Sequence, residues 1–284
     1  MLAFSVAAVA LKEASRRRLL LTLGVITLVA VVLCWWGFSR LATFTRHGAP
    51  LGESERLLLA SELLRLVTFA GSFVLVCGAV FAAAPTIASE VEAGIASAIS
   101  ARPIRRWEIV AGKWLGLAVV IVGFTGLAGL LELLAVRAGS GYWPPAPVQM
   151  LAYLAAEALV ILSLALLLST RIAAMASGVI GVGAFALAWI GGILGGIGAA
   201  VDNALAANIG RITALVIPTD GLWRGAVYSM EPAAEIAASG ATPAVSANPF
   251  FAARPPLFAY LLWTAFWILG VVTLAAWSFS RREL

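Results

Sequence analysis

Charged residues are scarce in this chain. Only 12% of its 284 residues are charged, whereas 62% are hydrophobic, and the mean hydropathy is +1.00. A soluble globular domain carries about 25% charged residues. The composition therefore excludes an ordinary soluble domain and places the chain in the membrane class.

Cysteine and histidine are scarce as well. Cys34 and Cys77 both lie within apolar runs, where a cysteine is a small buried apolar residue, and His47 is the only histidine. This excludes a histidine-rich metal cluster and a serine–histidine catalytic pair. The chain also has no His-Glu-x-x-His sequence. We therefore expect no metal site and no catalytic residues.

A phosphate-binding loop is missing too. Such a loop needs Gly-x-x-x-x-Gly-Lys-Ser/Thr, so that backbone N–H groups and the lysine surround the phosphates. The only Gly-Lys pair is Gly112-Lys113, with Trp107 at the first-glycine position and Trp114 at the hydroxyl position. We expect no cofactor on this chain, and any chemistry of ATP and Mg²⁺ would belong to another chain.

Long apolar runs are what the chain does contain. A membrane-spanning helix needs about 20 apolar residues. Six runs qualify, at about 19–38, 66–85, 110–136, 150–170, 173–200 and 256–279. The sequence predicts an all-α integral membrane protein with six transmembrane helices in a single domain, 1–284. An amphipathic interfacial helix is predicted at 2–17, and a partly helical outer segment, interfacial or re-entrant, at 202–254.

The basic residues indicate the orientation of these spans. The net charge of +5 does not indicate nucleic-acid binding, because the lysines and arginines sit at the ends of apolar runs. If the N-terminus is inside, eleven of the 19 lie on the inner side and eight on the outer side. Inner loops are the richer in lysine and arginine, so both termini are predicted to be cytoplasmic.

Two glutamates interrupt the apolar runs. Glu132 lies in the third run and Glu157 in the fourth, while Arg65 and Arg137 lie at the same outer level. A charged group in hydrocarbon costs at least about 2.5–3.5 kcal/mol, so these side chains need a reason to be there. They could form a polar cluster in the outer half that lines or closes a substrate vestibule. Structural pairing, or reach to the nearby interface, is the alternative.

The fifth run is rich in glycine. Gly191 with Gly195, and Gly192 with Gly196, form small-xxx-small pairs, which let helix backbones approach closely. Packing within one subunit would explain them. A contact between subunits, or a flexible helix at a translocation interface, remains the other interpretation.

The stretch from Ser89 to Lys113 is the one charge-dense segment between two long apolar runs. Ser89 could cap a helix whose first turn holds Glu90 and Glu92. Three apolar side chains then follow on one face at i, i+4 and i+8, namely Val91, Ile95 and Ile99. Gly94 allows close approach of another backbone, and Pro103 ends the helix by Arg102. An amphipathic helix at about 89–102 is predicted, with an apolar face that needs lipid or protein against it.

These residues resemble a known family. Glu90, Gly94, Arg102-Pro103-Ile104, Arg106, Glu108, Lys113 and Gly116 are similar to the first cytoplasmic loop of ABC-2 type transporter permeases. The resemblance extends to the basic N-terminal helix, the six spans and the outer segment. Pro218-Thr219-Asp220 and the overall size show a weaker resemblance to copper-processing permeases of nitrous-oxide-reductase assembly.

The resemblance implies partners and roles. Such permeases sit in the bacterial or archaeal cytoplasmic membrane, pair with a second copy, and bind two copies of an ABC ATPase that carries ATP and Mg²⁺. The implied function is that of an exporter permease working by alternating access; a non-transporting scaffold or mechanotransmitting subunit is the alternative. The implied ATPase-coupling residues are Glu90, Val91, Glu92, Gly94, Ile95, Ile99, Arg102 and Pro103. The implied outer gate comprises Pro218, Thr219, Asp220 and Trp223, and helix 2–17 would be the interfacial connecting helix.

Overall fold

The computed structural model describes residues 18–46, 49–92, 105–238 and 247–282. The helices in this part are α1 (Arg18–Arg40), α2 (Glu53–Glu92), α3 (Arg106–Ser140), α4 (Pro147–Ser169), α5 (Ala174–Ala200), α6 (Ala204–Val216), α7 (Asp220–Met230), α8 (Ala233–Ala238) and α9 (Phe258–Ser280). A short 3₁₀ turn, Leu41–Thr43, follows α1. The interfacial helix predicted at 2–17 and residues 93–102 of the predicted coupling helix lie outside the described residues.

Six of these helices are long and apolar enough to cross a membrane: α1, α2, α3, α4, α5 and α9. The described strands are only two residues each, Thr45–Arg46 and Ala49–Pro50, paired antiparallel between α1 and α2. The predicted all-α class with six spanning helices is therefore confirmed. Because the spans alternate in direction, α1 begins and α9 ends at one end of the bundle, the terminal face. The opposite end, where α6–α8 attach, is the loop face.

Helix α2 corrects the expectation that the second span ends near Pro85. It is a single helix of 40 residues with Pro85 inside it. Thr86 donates a hydrogen bond to the carbonyl of Ala82, and Ser89 donates one to the carbonyl of Pro85. Ser89 is thus an interior residue and not the cap that was predicted. Proline is tolerated in membrane helices where side-chain hydroxyls and neighbouring helices satisfy the freed backbone groups.

Helix α4 forms the centre of the bundle. It packs against α2, α3, α5, α7 and α9. Its residues Ala158, Ile161, Leu162, Ala165 and Leu166 are completely buried. Helices α1 and α9 lie at the periphery, where α1 packs mainly on α3, and most of their side chains are exposed. Exposed apolar side chains on spanning helices are what a bilayer covers.

Helices α6 and α7 form a hairpin that returns into the bundle. Along α5, successive close approaches run from Gly198 beside Ala206, through Gly195 beside Gly210, to Gly191 beside Thr213. The opposite order of the two numberings shows that α6 descends antiparallel to α5. Helix α7 then packs on α4. Asp220, at the start of α7, lies beside Gly192, about 12 Å from the end of α5 at 1.5 Å per residue.

Candidate functional site

On the terminal face, an ion pair joins the two helices on either side of the predicted coupling segment. Lys113 on α3 pairs with Glu90 near the end of α2, and its Nζ donates to the carbonyl of Thr86 at 2.6 Å. The Lys113 side chain is 9% exposed, and a charge this buried requires its partner. Val91 packs against the apolar core. The two helices that carry residues 93–104 between them are therefore held together at their ends.

Helix α3 begins at a defined point beside this ion pair. Glu108 accepts a hydrogen bond from the backbone N–H of Arg105 at 3.2 Å, and the N–H of Glu108 donates to the carbonyl of Arg105 at 2.9 Å. This reciprocal arrangement satisfies free N–H groups at a helix N-terminus. Gly94, Ile95, Ile99, Arg102 and Pro103 lie outside the described residues, so the coupling contact stays a prediction.

Arginines tie the remaining elements of the terminal face together. Arg106 at the start of α3 donates to the backbone carbonyls of Ser280 and Arg282, the second at 2.7 Å. Arg171 in the α4–α5 turn donates to the hydroxyl of Ser278 at 2.8 Å and to its carbonyl at 3.0 Å. These bonds connect the starts and ends of α3, α4, α5 and α9 around one side of the bundle.

The glycines predicted to pack helices lie along the α5–α6 hairpin. A Cβ on Gly195 would lie 2.8 Å from the Cα of Gly210, closer than Cβ atoms approach other atoms. A Cβ on Gly191 would overlap Thr213, and one on Gly192 would overlap the carboxylate of Asp220. Gly196 is buried on the same helix. In the described part of the chain these glycines serve contacts within one subunit.

The predicted outer gate lies at the reversal between α6 and α7 and in α7 itself. Pro218 and Thr219 are buried at the reversal between α6 and α7. The Thr219 hydroxyl makes no cap bond to α7, and Asp220 pairs with Arg224 at 3.0 Å. Trp223 is buried and its indole N–H donates to the carbonyl of Pro249 at 2.9 Å.

A buried arginine on α2 holds several segments of the loop face together. Arg65 pairs with Glu231 at 3.1 Å and with Glu235 at 2.8 Å. It also donates to the carbonyl of Phe250 at 3.2 Å, and the N–H of Ala252 donates to Glu231 at 2.8 Å. One guanidinium thus joins α2 to the segments on both sides of residues 239–246. The planar fork of arginine suits such paired recognition of carboxylates.

The four residues predicted as one outer polar cluster have separate surroundings. Arg65 belongs to the group just described, and the Arg137 guanidinium lies over the ring of Trp143, 5.3 Å from its centroid. Glu157 is buried and accepts a hydrogen bond from Ser72 at 2.9 Å. Glu132 lines a cavity between α1, α2, α3 and α4. Pairing of Glu157 with Arg65 or Arg137 is therefore not what the structure shows.

Sequence reasoning missed the carboxylates that bind Arg65. Glu231 and Glu235 are 166 and 170 residues away in the chain, beyond the reach of any helical spacing. A signal was nevertheless present, because Arg65 is a charge at the edge of an apolar run and needs a partner. Among the described residues, no three histidine, cysteine, aspartate or glutamate side chains are grouped so as to hold a metal ion.

A family model described as "ABC-2 family transporter protein" matches residues 7–284, nearly the whole chain. The comparison with curated proteins gives no match. The family match leaves the resemblance to copper-processing permeases a prediction.

Proposed function

The chain belongs to the ABC-2 family of transporter proteins, and on that premise we propose that it is an exporter permease driven by a separate ATPase that docks on segment 89–102. Membership of the family makes it a membrane component of an ABC transporter. The proposal adds the direction of transport, the docking segment and the stoichiometry of two permease copies with two ATPase copies.

The observation that carries the docking proposal is the contact that holds together the two helices flanking that segment. Lys113 holds the end of α2 to α3 through Glu90 and the carbonyl of Thr86. A force applied to residues between these helices would therefore act on both helices together. Ile95 and Ile99 supply the apolar face that an ATPase groove would cover.

Several features support transport of an amphiphilic molecule. The spanning helices α1 and α9 present apolar side chains to the bilayer, from which such a molecule can enter sideways. The α6–α7 hairpin descends into the loop face. It is connected to the bundle by polar contacts that can break and form again, among them the hydrogen bond from Arg224 to the carbonyl of Gly192 at 3.3 Å. We propose that this hairpin opens and closes the outer side.

Site-specific cross-linking tests the docking segment. Cysteine is placed at Ile95 or Ile99 in a chain whose native Cys34 and Cys77 are replaced by alanine, and native membranes are treated with a short bifunctional reagent. We expect a cross-linked product with a chain that is itself photolabelled by 8-azido-ATP. Cysteine at Phe266, which is 67% exposed on α9, is the control and should give no such product.

A functional arm accompanies the cross-linking. In the reconstituted complex, Ile95→Asp should reduce ATP-driven transport at least tenfold because a charge would be placed in an apolar contact, while Ile95→Val should leave it within twofold. Cross-linking at Phe266 but not at Ile95, or full transport by Ile95→Asp, would contradict docking at this segment. Cross-linking without any ATP-dependent transport would favour the scaffold alternative.

A further inference from the structure

A cavity of about 180 Å³ lies inside the half of the bundle nearer the loop face. It is lined by residues of α1, α2, α3 and α4, and its lining is mostly apolar, with Ile26, Val67, Phe124 and Leu154 among the contributors. Helix α1 forms one wall and packs on few other helices. Helix α1, most of whose side chains are exposed, thus lies between the cavity and the bilayer.

Two polar side chains in the cavity have atoms without partners. Within the described residues, Glu132 Oε1 and Thr68 Oγ1 are both buried and make no hydrogen bond. Gly71 lies opposite the carboxylate: a Cβ there would be 3.8 Å from Glu132 Oε2. Buried polar groups are ordinarily satisfied, and leaving one unpaired destabilises the fold, more so when the group is charged.

The other membrane carboxylate differs in this respect. Glu157, one helix away, accepts a hydrogen bond from Ser72, and it is buried and is not among the residues that line the cavity. Glu132 instead lines the cavity. At the wall of this apolar cavity, a carboxylate oxygen and a hydroxyl therefore lack a hydrogen-bond donor. A ligand that supplies such a donor would be complementary to them.

We propose that this cavity binds a small apolar molecule carrying a primary ammonium group, with the ammonium on Glu132 and Thr68. An N⁺–H···O⁻ bond is stronger than a neutral one, and stronger still where water is excluded. A dry cavity of about 150 Å³ holds benzene, so a cavity of about 180 Å³ suits one aromatic ring with an aminomethyl group. Recognition of this kind follows from the chain's own residues and does not depend on the proposed transport.

Ligand-observed ¹⁹F NMR on the full chain in lipid nanodiscs tests the proposal, with no ATPase and no nucleotide present. The probes are 4-fluorobenzylamine, which is cationic at pH 7, and 4-fluorobenzyl alcohol, which has the same shape without the charge. Empty nanodiscs correct for partition into lipid. We expect saturable binding of the amine that weakens at least tenfold in Glu132→Gln, while the alcohol binds both proteins within twofold.

Two further variants assign the effect to the cavity. Thr68→Val, which removes the hydroxyl and keeps the shape, should weaken amine binding several-fold. Glu157→Gln removes the neighbouring membrane carboxylate outside the cavity and should leave amine binding unchanged. Retained binding of the alcohol shows that each variant is folded.

Three results would overturn the proposal: no saturable binding of the amine to the unmodified chain, equal amine affinity in Glu132→Gln, or equal effects of Glu132→Gln and Glu157→Gln. Because the assay contains no ATPase, these results would leave the transporter proposal as it stands. Conversely, loss of the ATPase cross-link at Ile95 would leave amine binding unaffected.

Discussion

At the scale of single residues, Arg65 carries an unusual share of the long-range connections. It binds Glu231 and Glu235 while its side chain is only 4% exposed. Removing one member of a buried ion pair leaves the other charge uncompensated and costs about 3–5 kcal/mol. We expect Arg65→Met to lower the free energy of unfolding by about that amount at pH 8, measured by chemical or thermal unfolding in detergent.

An exposed arginine on the same face provides the matched control for Arg65. Arg254 is exposed on the loop face, and substitution of such surface residues changes stability by about 0.5 kcal/mol or less. Arg254→Met should therefore unfold like the unmodified chain. Equal losses in the two variants would mean that arginine content, and not the contact with Glu231, stabilises this face.

Glu231 also predicts a pH dependence. Burial raises the pKa of Glu231 from 4.5 to about 7, although the N–H of Ala252 and the guanidinium of Arg65 act to lower it. A carboxyl whose pKa is higher in the folded state holds its proton more tightly when folded. Its stabilising contribution is therefore present below about pH 4.5 and lost as the pH rises to about 7.

Comparison with Glu231→Gln isolates this effect. Between pH 5 and pH 8 the melting temperature of the unmodified chain should fall relative to that of Glu231→Gln, whose amide does not titrate. Carboxylates that do not contact Glu231 or Arg65 contribute equally to both proteins and cancel. Parallel melting curves across this range would show that Glu231 keeps an ordinary pKa.

At the scale of elements, the α5–α6 hairpin provides a test with an internal control. Both Gly195 and Gly183 lie on α5, but a Cβ on Gly195 would collide with Gly210, whereas nothing lies within 4 Å of a Cβ on Gly183. Gly195→Ala should lower the free energy of unfolding by about 1–3 kcal/mol, the usual cost of overpacking. Gly183→Ala should be neutral or raise it by up to about 1 kcal/mol, since alanine favours helix.

The same hairpin distinguishes the two interpretations of the glycine pairs. If Gly195 served mainly a contact between subunits, Gly195→Ala would alter the dimer fraction at low protein concentration and leave the unfolding of the separated subunit unchanged. Cross-linking at several protein concentrations measures the dimer fraction, and unfolding at the lowest concentration measures the stability of the separated subunit.

The sequence patterns predict which helices are present better than they predict the residues at which those helices end. Apolar runs of about 20 residues locate the six spans, because each must cross the same hydrocarbon thickness. Pro85 was expected to end α2, and local propensity does favour an end there. The hydroxyls of Thr86 and Ser89 and the packing around α4 outweigh that preference. Tertiary contacts of this kind leave no periodic signal in the sequence.

At the scale of the whole molecule, the even number of spans places residues 18 and 280 on one face. The lysine and arginine distribution predicts that this face is cytoplasmic. In a chain without native cysteines, cysteine at Arg105 or Arg281 should react with a membrane-impermeant maleimide only after the cells are opened. Cysteine at Val148, which is 77% exposed at the start of α4, should react in intact cells.

The opposite labelling pattern would invert the topology, and with it the docking proposal, because segment 89–102 would then face away from any cytoplasmic ATPase.

The global arrangement of spans could be predicted because hydrophobicity and charge bias act along the whole chain. The candidate sites could be predicted only in part: Glu132 and Glu157 are visible as charges among apolar residues, whereas the cavity beside one and the serine beside the other depend on how four helices pack.

Helix α2 has a mechanical consequence. Its 40 residues make a rod about 60 Å long, against a bilayer of about 40–45 Å including headgroups. Arg65 fastens this rod about 18 Å from its loop-face end, at 1.5 Å per residue from Glu53, and Glu90 fastens it near its opposite end. A tilt of only 5° about one end displaces the other by roughly 5 Å at this length. A small rotation of α2 would therefore be transmitted between the Arg65 contact and the Glu90 contact, which lie on opposite sides of the membrane.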